Sequence, residues 1–244
     1  MIKIKYKAAI ASTTLLTLLV FGVLPLNANA NTFSGYVPPT GRERIQRTDG
    51  SGSRGCPSGA FGSISLLIPN DHVGLTVSDR PTFSWYVSAL PSTPMQFALV
   101  EPGVPQPILV KQLRVNKTGI VQLELPKNVS ELSVGKTYRW TVSLVCNAKR
   151  PSENIYVRSQ IARVPNRVDE IQTLANATPQ TLRTRAIAYA QSGIWYDAIA
   201  TISQAYLATP QDRLNAEYLH LLLNQVGLSQ IRILEAQPFA DRRE

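Results

Sequence analysis

Residues able to do chemistry are few in this chain of 244: two cysteines, Cys56 and Cys146, two histidines, His72 and His220, and a thin scatter of carboxylates. No cysteine pair stands close enough in sequence to suggest a zinc site, and neither histidine sits in a metal spacing such as HExxH. His72 follows Asp71 in a loop ahead of a strand, so an acid–base dyad is available there, but the sequence singles out no nucleophile for it. His220 falls in Tyr218-Leu219-His220-Leu221 and reads as a packed or edge histidine. The G-x-S-x-G elbow, the Walker loop, the Rossmann glycines and S-x-x-K are all missing, which removes the common hydrolase and nucleotide signatures. A glycosidase needs two carboxylates about 5 to 10 Å apart, a pairing that sequence does not reveal for acids such as Glu101, Glu124, Glu153 and Asp197. Asp197 lies beside Trp195 and Tyr196 at an expected helix start, where an acid complements the helix dipole. No catalytic residue, cofactor or metal is therefore assigned, and the expectation is a protein that is not an enzyme.

The compartment is easier to read. Lys3, Lys5 and Lys7 precede an uncharged stretch from Ala8 to Leu24, then Pro25 and the small-residue ending Ala28-Asn29-Ala30. That is the layout of a secretory signal peptide over residues 1–30, with cleavage expected after Ala30; retention as an anchor is the minor alternative. Cleavage lowers the formal charge from +9 to +6. The remaining arginines are scattered, as on a solvated surface, and export makes nucleic acid an unsuitable partner, though anionic lipid or polysaccharide would still feel the field. No later segment reaches the ~18 apolar residues needed to cross a bilayer, so no transmembrane segment is expected after the leader. In an oxidising compartment Cys56 and Cys146 are expected to form one disulfide, the alternative being two separate thiols. The loop so closed is worth roughly 4 to 5 kcal/mol in the chain-entropy model.

Four stretches follow from composition and periodicity. After the leader, residues 31–57 are rich in Gly, Ser, Thr, Arg and Pro and read as a flexible tail. Residues 58–164 hold seven β-rich runs divided by Pro, Gly and Asn: 62–68, 82–88, 96–101, 108–115, 119–125, 136–147 and 155–164. Seven short strands at this spacing indicate an antiparallel β-sandwich. Alternation places Phe83, Trp85 and Val87 on one face and Tyr138, Trp140, Val142 and Leu144 on another, as inward residues rather than exposed sugar platforms. After Pro165 the period changes to about 3.6. Residues 165–244 are expected to be helical, in segments 166–176, 179–192, 195–208, 211–225 and 229–236, with Thr178-Pro179 as a start and Gly193, Pro210 and Gly227 as breaks.

Two local patterns sharpen the fold class to α+β, an Ig/fibronectin-III-like sandwich followed by a helical hairpin. Leu132, Gly135 and Tyr138 resemble the tyrosine corner of fibronectin type III domains, in which the phenol ties its strand to the preceding loop. Ala186, Tyr189, Gly193, Trp195, Ala198, Ala205 and Pro210 resemble one tetratricopeptide repeat, whose small residues let two helices approach closely. One repeat of about 34 residues later the pattern decays, with Arg232 in place of a small residue. A lone repeat needs another surface to cover it, and the β region is the nearest.

Together the leader, Arg54-Gly55-Cys56, Pro81 to Val87, Tyr138-Arg139-Trp140 with Cys146, Gly193 to Ala198 and Val226-Gly227-Leu228 look like a cyanobacterial family catalogued as domain of unknown function 928. The resemblance implies an exported protein of the periplasm or outer envelope, and it brings no activity and no catalytic residues. The expected function is a non-enzymatic cell-envelope interaction or scaffold module with a protein partner. The alternative is a carbohydrate or peptidoglycan binding module that uses an exposed aromatic such as Tyr86 or Tyr156.

Overall fold

Alternating side chains build two sheets with a common filling. The computed structural model describes residues 34–41, 43, 44, 48–50, 56, 64–166 and 178–231. Their strands are β1 (Thr48–Gly50), β2 (Ile64–Leu66), β3 (Gly74–Thr76), β4 (Thr82–Val87), β5 (Met95–Val100), β6 (Leu109–Leu113), β7 (Gly119–Glu124), β8 (Thr137–Leu144) and β9 (Ile155–Arg163). One sheet runs β1-β9-β8-β5-β6, with β3 also on β9, and the other runs β2-β4-β7. The β3–β9 pairing is parallel, and the other pairings are antiparallel. Each of the seven expected runs overlaps a strand, β5 starting one residue ahead of its run. The two extra strands, β1 and β3, are three residues long, too short for alternation to announce them.

Phe83, Trp85, Val87, Phe97, Trp140 and Val142 are all fully buried. The Phe83 ring lies 4.9 Å from Phe97 and 5.1 Å from Trp140, so residues of both sheets meet in one aromatic filling. Trp85 and Trp140 are thereby excluded as sugar platforms. At the start of β8 the Tyr138 hydroxyl accepts the Ser133 N–H at 2.8 Å. Gly135 supplies the left-handed turn between them at φ +81°, a conformation open to glycine at little cost. The corner expected from Leu132, Gly135 and Tyr138 is formed. Cys56 and Cys146 are joined in a disulfide with Cα atoms 5.0 Å apart, closing a separation of 90 residues.

Three helices follow: α1 (Pro179–Gln191), α2 (Trp195–Ala208) and α3 (Arg213–Gln225). The Thr178 hydroxyl accepts the Thr181 N–H and Pro179 occupies the first turn, as the sequence pattern indicates. Asp212 caps α3 through the N–H groups of Leu214 and Asn215. The Arg183 guanidinium of α1 reaches Asp212 at 3.0 Å and Asn215 at 2.6 Å, so this arginine, expected on a solvated face, joins α1 to α3. Ala186, Ala198 and Ala205 are fully buried. Residues 229 and 230 form a turn rather than the start of the expected 229–236 helix. The remainder of that segment beyond Ile231, the 166–176 helix from residue 167 on, and the 1–30 leader lie outside the described residues.

What joins helices to sheets is the first turn of α2. The Trp195 indole donates to the Leu67 carbonyl at 2.9 Å. The Tyr196 hydroxyl accepts the Trp140 indole N–H at 2.7 Å and donates to the Gln160 carbonyl at 2.9 Å. Both rings are buried, and burial pushes the Tyr196 phenol pKa far up. Beside them a Cβ at Gly74 would come within 2.8 Å of the Tyr196 ring, so β3 opens on the one residue that lets α2 approach. The helical part thus shares its core with the strands.

Candidate functional site

Two groupings of polar side chains stand out, and they differ in kind. The first ties down the segment before β1. Tyr36, inside the stretch expected to be a flexible tail, is 5% exposed. Its N–H donates to the Gln225 side chain at 2.8 Å, and the next N–H, of Val37, donates to the Ala190 carbonyl at 3.0 Å. The Tyr36 ring packs edge-on to Trp195 at 4.9 Å and parallel to His72 at 5.7 Å. His72 lies between Asp71, 2.6 Å from its Nδ1, and the Tyr36 hydroxyl, 2.7 Å from its Nε2. A carboxylate can only accept, so Nδ1 carries the proton and Nε2 accepts from the phenol. The order phenol, imidazole, carboxylate is that of a relay. Yet His72 is 2% exposed, and with Tyr36 stacked on it the arrangement works as a clamp holding the segment to the body.

The second grouping surrounds a cavity of about 380 Å³ between the helices and the edge of the β2-β4-β7 sheet. On α2, Asp197, Thr201 and Gln204 recur at spacings of four and three, which puts them on one helical face. On α1, Arg185 and Tyr189 do the same. The opposite wall carries Glu124 at the end of β7 and the Ser78–Thr82 approach to β4. The frame is fixed by bonds of its own. The Arg80 guanidinium donates to the carbonyls of Pro126 at 2.6 Å and Val129 at 3.0 Å. The Gln122 amide donates to the Ala200 carbonyl at 3.0 Å and to Ser84 at 3.3 Å. Asp197 accepts the Val77 N–H at 3.2 Å. Its carboxyl is pushed up to about 6 by burial, against the pull of hydrogen bonds from Thr76 and Val77. Burial also raises the Tyr189 phenol, the nearby Asp197 charge adds to the rise, and Arg185 opposes it. Glu124 and Gln204 are exposed at the mouth.

Sequence reasoning reached some of these residues singly and missed the grouping. Asp197 sits in the first turn of α2 as expected, but its carboxylate also serves a backbone N–H 120 residues away. A signal was present: Ala198, Ile199, Ile202 and Ala205 are the buried side of α2, and Asp197, Thr201 and Gln204 form a polar stripe along its flank. His220 is half-buried with its Nε2 hidden from solvent. Tyr86 is half-buried on β4, and Tyr156 is half-buried with the Arg158 guanidinium 4.8 Å over its ring. Among the described residues no group of three or more His, Cys, Asp or Glu side chains is placed to hold a metal ion. No helix among them is long and apolar enough to cross a membrane.

The family model described as Domain of Unknown Function (DUF928) matches residues 49–235, spanning β1 to past the end of α3. The chain belongs to the DUF928 family. The match to DUF928 takes in both sheets, the helices and every residue that lines the cavity, while Tyr36 lies ahead of it. No curated protein matches the chain.

Proposed function

We propose that this protein is an exported, non-enzymatic module of the cell envelope that binds a protein partner or scaffolds an assembly. In this reading the leader is removed after Ala30, the sheets are a fibronectin-III-like sandwich, and α1 and α2 are a tetratricopeptide-like hairpin. The strand orders β2-β4-β7 and β9-β8-β5-β6 and the Tyr138 corner support the first likeness. The buried Ala186, Ala198 and Ala205 support the second. One observation carries the functional reading. Groups that could do chemistry are spent on holding elements together: His72 on Tyr36 and Asp71, Tyr196 on Trp140 and Gln160, Arg183 on Asp212 and Asn215. Helices cemented to sheets in this way present a fixed surface, which lowers the ordering cost of binding.

The test is photo-crosslinking with affinity capture from an envelope fraction. A crosslinker at the exposed Glu217 or Asn224 of α3 is expected to trap one discrete protein, and the same group at Val110 on β6 is expected to trap none. Capture of glycan alone, or of nothing from the helical positions, overturns the reading.

The carbohydrate alternative gains from one observation, the polar cavity beside α2. It gains nothing from Tyr156, whose ring is covered by Arg158.

A further inference from the structure

We propose that the cavity between α1, α2 and the β4–β7 edge is a binding site for a neutral saccharide unit, separate from any protein-docking surface. Its volume of about 380 Å³ lies within the range of small-ligand sites, roughly 300 to 1,000 Å³. Its lining decides the class of ligand. Glu124 accepts, Arg185 donates, and Thr201 and Gln204 do both, while Asp197 keeps its bonds to the chain. A lipid chain or an aromatic ligand would displace the water at Thr201, Gln204 and Glu124 without replacing its hydrogen bonds, a desolvation cost left unmet. An anion would meet two carboxylates and a cation would meet Arg185 and Arg80, so the two signs balance in the lining. A sugar hydroxyl donates and accepts at once, which is what a wall of mixed acceptors and donors satisfies. Tyr189 supplies the one aromatic ring of the lining, a flat apolar face for the C–H side of a pyranose.

The site is also held in shape. Arg80 is pinned to two carbonyls, Gln122 bridges the sheet to α2, and Asp197 is anchored on Val77. Polar groups so fixed keep their directions when the ligand arrives, and the ordering cost falls on the sugar alone. Glu124 and Gln204 at the exposed mouth would take the outer hydroxyls, so a chain of sugars can continue into solvent from the unit that is enclosed.

The test uses the full chain, expressed with its own leader in an exporting host and purified with its disulfide formed. Glucose, N-acetylglucosamine and chitotriose are the probes, and alanyl-alanine is the zwitterionic control, read by saturation-transfer NMR and calorimetry. Saturable binding of at least one sugar and none of the dipeptide is expected. Glu124→Gln and Gln204→Ala change exposed side chains, so the melting temperature is expected to hold while affinity falls by about tenfold, the worth of one well-made hydrogen bond. Thr201→Trp fills the cavity and is expected to abolish binding. The proposal is overturned if no sugar binds to protein with an intact melting transition. It is equally overturned if affinity is unchanged in Glu124→Gln and Gln204→Ala, or if the dipeptide binds and the sugars do not.

Discussion

Helix α2 carries two polar regions within three turns, and they are built to opposite ends. At its start the indole of Trp195 and the hydroxyl of Tyr196 each meet partners inside the sheets, with both rings buried. Along its flank Thr201 and Gln204 line a hollow, with Asp197 beside them bonded to Val77. A polar group buried with all its partners fixes one packing, whereas a polar group beside a void stays ready for something that is not part of the chain. The polar residues of this molecule therefore sort by whether their bonds close within the fold.

The largest effect tests the closed region. Trp195→Ala removes a buried indole and strands the Leu67 carbonyl, and a loss of about 3 to 5 kcal/mol is expected in urea unfolding. A loss under 1 kcal/mol would show that α2 is not what cements helices to sheets. Next comes the boundary between the regions. The Asp197 carboxyl lies near 6 in the folded chain against 3.8 ordinarily. Between those values the folded state holds a proton that the unfolded state has lost. Stability is therefore expected to fall as pH rises from about 4 to about 6, then level off, by on the order of 2 kcal/mol. Asp197→Asn should flatten that slope, and an unchanged slope in the variant would assign it to other groups. Tyr196→Phe leaves the ring but orphans the Trp140 N–H, and about 1 to 3 kcal/mol is expected from thermal melts. Smallest is the open region: Gln204→Ala is expected to change stability by less than about 0.5 kcal/mol. A larger loss would place Gln204 among the closed residues.

How much of this could be read from sequence depended on how local each cause was. Phe83, Trp85 and Val87 declare their face by alternation within six residues, and Thr178-Pro179 declares a helix start within two. The tyrosine corner needs only Leu132 to Tyr138. Tyr36 had no such context: its partners His72 and Gln225 lie 36 and 189 residues on, so a lone aromatic among polar residues read as tail. Strand β3 was hidden for a related reason, since Gly74 is set by the Tyr196 ring that arrives from α2. The cavity was half legible. Spacing alone puts Asp197, Thr201 and Gln204 on one flank, but only the fold shows that the flank faces Glu124 of β7 across a gap rather than open water.

Strand β9 accepts three neighbours: β8 along its length, β1 through residues 156–158 and β3 through residues 161–163. A chain made and delivered from its N-terminus has residues 48–50 and 74–76 in hand some eighty residues or more before their mate emerges. Both must wait with bare amide edges, and pairings this distant in sequence are slow to close. Assembly is therefore decided late, and a chain cut short before Ile155 lacks the strand on which β1 and β3 must lie.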